Sequence, residues 1–163
     1  MASEWVMYLA IIGIGVVAIA GVTSTFDSLN LNVADSTVEV GLQEVASIVA
    51  KEMKKVYELG LSTAPLTEVT ITQILNLPTE IAGRQYEIEF SRRIGSNNLY
   101  LKAIDLESPL EIIYETALPR DITLESPTGE LDPTIRSANY QHFISFQRTQ
   151  GSSIYRIIIG YTS

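Results

Sequence analysis

Residues 5–26 read WVMYLAIIGIGVVAIAGVTSTF, from Trp5 to Phe26, a run of 22 positions without a charge, closed by Glu4 and Asp27. As a helix at ~1.5 Å per residue this stretch reaches ~33 Å, enough to cross a bilayer core of ~30 Å. Its apolar residues surround the helix instead of forming one stripe, so it must be buried all round, in lipid or in a bundle of its own kind. A cleaved secretory signal fits poorly: Met1–Glu4 carries no Lys or Arg, and the apolar run exceeds the usual ~7–15 residues. The remaining chain is too small to wrap such a helix in a soluble core. An anchor or assembly helix is the expectation.

Small residues punctuate the run. Gly13, Gly15, Ala18, Ala20, Gly21 and Ser24, with Ala10 before them, let helix backbones approach closely, and Ala20/Ser24 has small-xxx-small spacing. Together with Trp5 they form the candidate helix-contact set, and Glu4 is a candidate subunit contact. Charge does not set the orientation, because the first Lys or Arg of the chain is Lys51.

Outward from this stretch, Asp27–Asp35 (DSLNLNVAD) is rich in turn and cap residues, which fits a kinked continuation of the helix or a short extended linker. Ser36-Thr37-Val38-Glu39 has capping-box spacing, which predicts a fresh helix start near Ser36. Val38, Leu42, Val45, Val49, Met53 and Val56 then mark one helical face up to Gly60, a natural left-handed cap. That face has a surface to bury, most simply against the domain downstream of it. The expected units are residues 1–35 (hydrophobic helix and linker), 36–60 (amphipathic helix) and 61–163 (β-domain).

Beyond Leu61 the period becomes two. Clean alternation at Thr67–Thr72 and Gln85–Phe90, a hairpin return at Leu99–Ile104 and further strand-like runs at Leu110–Thr116, Ile122–Glu125, His142–Gln147 and Ile154–Tyr161 predict six to eight short strands, with turns at Gly95–Asn98 and Ser126–Gly129. The expected fold class is α+β, with an antiparallel, immunoglobulin-like β-sandwich after the helices. Ile154–Tyr161 is the most hydrophobic strand and is expected at the centre of a sheet.

Composition narrows the function. With 11 basic against 19 acidic residues the chain carries a formal charge of −8, which argues against nucleic-acid binding. Having no cysteine, it has no disulfide framework and no thiol chemistry. The one histidine, His142, is expected at a sheet surface, opposite Phe143. The carboxylates Asp105, Glu107, Asp121, Glu125 and Asp132 are scattered and lack the oxygen spacing of a calcium loop. No nucleophile elbow, phosphate loop or zinc pair is present. No catalytic residue, metal or cofactor is expected.

The layout resembles archaeal type IV pilin-like proteins, the superfamily of pilins, archaellins and archaellum stator-like proteins. An uncharged N-terminal helix, an amphipathic extension and one β-domain carry the resemblance. Locally it rests on Leu77-Pro78-Thr79-Glu80-Ile81-Ala82-Gly83-Arg84-Gln85-Tyr86-Glu87-Ile88, which is similar to an LP-x-x-I-x-G-x-x-Y-x-I run in many of these chains. The resemblance implies a homo-oligomeric extracellular filament at the cell surface. The helices would enter it from a membrane-inserted precursor, and the β-domains would face outward for surface or cell contacts. A prepilin also carries a basic leader, and none precedes Met1 here. Met1 is then either the mature end or the start of an anchored accessory protein, stator-like, whose β-domain binds a surface or motor component.

Overall fold

A computed structural model describes residues 2–63, 68–92, 97–119, 121–131, 133–138, 140–150 and 155–162; the side chains of 2–11 and 31–32 lie outside that description. The fold is α+β: one helix, α1 (Ala2–Ser62), is followed by eight strands in two sheets that are antiparallel except for one pair. The chain divides into two units, Met1–Ser36 and Thr37–Ser163.

Of the two pictures for Asp27–Asp35 the helix continues and no extended linker is found; the fresh start at Ser36 is not found either, because α1 runs through both. Asn and Asp carry only a few tenths of a kcal/mol of helix penalty each, and a helix already nucleated on both sides propagates across them, with Asp27, Asn30 and Asp35 exposed. Gly60 is likewise helical, and it is absent from the positive-φ residues. Its lack of a side chain serves a close approach: a Cβ there would lie 2.2 Å from the Phe146 ring. The helix end is met by Arg148, whose guanidinium donates to the carbonyls of Gly60 (3.4 Å) and Thr63 (3.5 Å). The cation thus sits where the last carbonyls need donors.

In the second unit the strands are β1 (Val69–Leu75), β2 (Tyr86–Arg92), β3 (Asn98–Asp105), β4 (Glu111–Ala117), β5 (Ile122–Glu125), β6 (Thr134–Arg136), β7 (Gln141–Arg148) and β8 (Tyr155–Thr162). One sheet has the order β1-β7-β8-β5, with β5 parallel to β8, and the other has the order β4-β3-β2-β6. The hydrophobic strand β8 is interior to its sheet, as its composition predicts. The short strand β6 was not foreseen. Of the expected turns, Ser126–Gly129 closes with a Gly129 N–H to Ser126 carbonyl bond of 2.9 Å. Of the other, Gly95 and Ser96 lie outside the described residues.

Both sheets and the helix supply one core. The helical face Val38, Leu42, Val45, Val49, Met53 and Val56 is at most 2% exposed, so periodicity identified the buried face correctly. It shares that core with Tyr86, Ile88 and Phe90 of β2, Leu99 and Leu101 of β3, Ile144 and Phe146 of β7, and Ile157 and Ile159 of β8.

The run Leu77–Ile88 is a clasp in this unit. Ala82 (φ 51°) and Gly83 (φ 79°) both take left-handed angles, and Ile81 and Arg84 exchange two backbone hydrogen bonds of 3.0 Å. This is the two-residue hairpin that needs positive φ at both central positions. It presses Ile81 onto the helix at Gly41, where a Cβ would stand 2.3 Å from Ile81 Cγ2. Arg84 pairs at 2.9 Å with the buried Asp105, and the Tyr86 hydroxyl donates to the Pro78 carbonyl at 2.6 Å.

Candidate assembly surface

The candidate site lies on the first unit. From Ile12 to Phe26 α1 has no charged residue, and its large side chains stand in solvent: Ile14 is 71% exposed, Val17 72%, Ile19 70% and Phe26 61%. A Cβ built on Gly13, Gly15 or Gly21 meets nothing within 4 Å. Ala18, Ala20 and Ser24 are exposed as well. Among polar side chains here, Thr23 and Thr25 return their hydroxyl protons to the carbonyls of Ile19 and Gly21, both at 2.9 Å. Those hydroxyls are therefore satisfied within the helix and suit an apolar surrounding. Of the remaining expected contacts, Glu4, Trp5 and Ala10 belong to the helical backbone, but their side chains lie outside the described residues.

The exposed apolar surface continues past the residues the sequence singled out. Leu29 is 53% exposed and Val33 65%. With Phe26 they follow spacings of three and four, the signal by which they could have been found. Chemically, a helix bare of charge and covered in Val, Ile and small residues can do one thing well: enter an apolar phase of lipid or of other helices.

Elsewhere the polar groups serve the fold. His142 is buried instead of lying at a sheet surface. The parity was right, with Phe143 on the opposite face, but the core lies on the side of His142, Ile144 and Phe146. Phe143 packs on the other face, near Gly160 and Pro127. Burial pushes the His142 pKa down, only partly countered by its 2.9 Å hydrogen bond, Nε2 to the Arg136 carbonyl. Asp105 is buried. Burial pushes its carboxyl up, but donors from Ser108 (2.5 Å), the Glu107 amide (2.9 Å) and Arg84 outweigh that and hold it below the usual range. Glu125 faces Arg156 at 3.8 Å, and Asp132 lies outside the described residues. Lys54 and Lys55 form i,i+4 and i,i+3 pairs with Glu58 and Glu52, a solvated helix face. Among the described residues, no group of three or more His, Cys, Asp or Glu is placed to hold a metal.

Compared with protein-family models, with curated proteins and with solved structures, the chain matches none.

Proposed function

We infer that this chain is a structural subunit of an extracellular type IV pilus-like filament, inserted in a membrane before assembly and polymerising through the helix around Trp5–Phe26. The observation that carries this reading is the exposure of Ile12–Phe26 on every side of a charge-free helix. Seven large side chains there (Ile12, Ile14, Val16, Val17, Ile19, Val22 and Phe26) are more than half exposed. Burying them is worth on the order of 10 kcal/mol per subunit before the entropy of association. A head-to-tail contact between such helices makes a fibre when its rotation does not close into a ring, and that is the geometry of the proposed filament. The residues from Thr37 onward have their own core, so a β-unit can be displayed without help from the first unit. We read that unit as a β-sandwich, on the strength of two sheets sharing one core. Its strand orders are its own, not the ABED and CFG of the constant-type immunoglobulin domain.

A second reading is supported by the same helix, whose length and apolar composition suit a permanent bilayer span. The chain would then be an anchored accessory protein whose β-unit binds a cell-surface or motor component. Shearing cells, pelleting the released material and mapping the N-terminus of this chain by mass spectrometry separates the two. Abundance in sheared filaments supports the subunit reading, whereas confinement to the membrane fraction supports the anchored one.

A further inference from the structure

Two four-stranded sheets leave four edges, and three carry the features by which natural sheets avoid unwanted pairing. β6 is three residues long and β5 four. β4 is longer but exposes Glu111 and Glu115, with Glu111 paired to Lys102 at 2.8 Å. The fourth edge, β1, has none of these. Its seven residues, VTITQIL, include no charge, proline or glycine, and among the described strands it pairs only with β7. Along its open side no strand among the described residues pairs with its backbone, and the Ile74 carbonyl accepts only a side-chain bond, from the Gln73 amide at 3.2 Å. Its core-side residues Ile71 and Gln73 stay half-buried, while their β7 partners Phe146 and Ile144 are fully buried. One more strand would complete that coverage.

We propose that β1 is a pairing edge for a second copy of this chain, joined antiparallel about a two-fold axis at Thr72. A backbone ladder admits only another extended strand, and the sequence of β1 is complementary to itself. With Thr72 opposite Thr72, all seven residues pair. Thr70 then meets the partner's Ile74 on the exposed face, and Val69 meets the partner's Leu75 on the core face. Faces are preserved, because this register keeps the side-chain period of two in phase. The flanking Glu68 falls opposite the partner's Asn76, so no like charges meet. For a chain of charge −8, an uncharged edge is where two copies approach without repulsion. The ladder is short, so it gains most where copies are already concentrated on one surface. It does not rest on the filament reading.

The test exploits the absence of native cysteine. In an antiparallel pair, facing Cα atoms are about 4.5–5.5 Å apart, within disulfide range. Thr70 and its own copy would be ~13 Å apart, beyond it. The positions used are exposed, and only Thr72 holds a side-chain bond, 3.1 Å to the Ser145 hydroxyl. The Thr70→Cys, Ile74→Cys and Ile113→Cys melts should therefore match the parent, and the Thr72→Cys melt should lie only slightly below it, by the net worth of one hydrogen bond. The full chain in detergent micelles would be oxidised as Thr72→Cys, as Thr70→Cys, and as Ile113→Cys on β4 for comparison. Expected is disulfide dimer from Thr72→Cys roughly tenfold faster than from either of the others, because only it sits on the axis. Mixing Thr70→Cys with Ile74→Cys chains should restore rapid crosslinking. A Thr72→Cys rate no greater than that of Ile113→Cys overturns the pairing. Crosslinking of Thr72→Cys in cell membranes solely to a different protein overturns the choice of partner. Neither readout depends on whether the chain pellets with filaments.

Discussion

At Gly60 a single methyl group would stand 2.2 Å from the Phe146 ring, whereas at Gly13 it would meet nothing within 4 Å. The same residue type therefore does different work in the two units. Gly60→Ala should destabilise the second unit by about 1–3 kcal/mol through overpacking against a buried ring. Gly13→Ala should leave its thermal melt unchanged. The acid side of the stability curve is set by two other residues. His142 has a lowered pKa in the fold, so its contribution is complete above the unfolded value of about 6.5 and falls as the pH drops below it. Asp105 is also lowered, so its contribution holds above about 4 and is lost as the pH falls through its folded value. Melting temperature against pH should show a decline beginning near 6.5 and a further one below about 4. Asp105→Asn should lower stability at neutral pH and remove the second decline. The Tyr86 hydroxyl, pushed up to about 12 by burial, stays protonated throughout.

Along α1, one face from Val38 to Val56 was legible because burial against a single surface leaves a 3.6-residue period, and the structure buries those residues. Continuity through Asp27–Asp35 was not legible: Asn30, Asn32 and Asp35 are turn residues by local preference, and cooperativity along the helix overrides them. Seven of the eight strands are legible, two by clean alternation and the others as apolar runs bounded by turns, but β6 spans only Thr134–Arg136, too short to show either. The core side of β7 was misjudged because His142 looked like the solvent residue and Phe143 like the core one. Only the tertiary bond to the Arg136 carbonyl accommodates the histidine inside. At this scale the decisive variant is Val17→Asp, which puts a charge at a 72%-exposed position in the middle of the apolar run. A charge at the centre of a membrane helix costs about 2.5–3.5 kcal/mol, so this chain should be lost from both membranes and filaments. Undiminished recovery in the membrane or sheared fraction would count against the helix as the assembly element.

For the molecule as a whole, the boundary near Ser36 separates a helix with no core from a unit that has one. A chain trimmed to residues 37–163 should be monomeric and water-soluble when dilute, with the same thermal melt as the second unit of the parent. Aggregation or loss of the melt would mean that the first 36 residues help to fold the rest. On the proposed subunit reading, the surface from Ile12 to Phe26 is covered in the working state by other copies of itself. The most direct measurement is thiol alkylation of Val17→Cys chains in sheared, pelleted filaments, with Lys54→Cys chains as the exposed reference. The expected result is that the Val17→Cys thiol resists a water-soluble maleimide until detergent dissociates the filaments, while the Lys54→Cys thiol reacts at once. Equal reactivity of the two in intact filaments, or absence of the chain from the pellet, would contradict it.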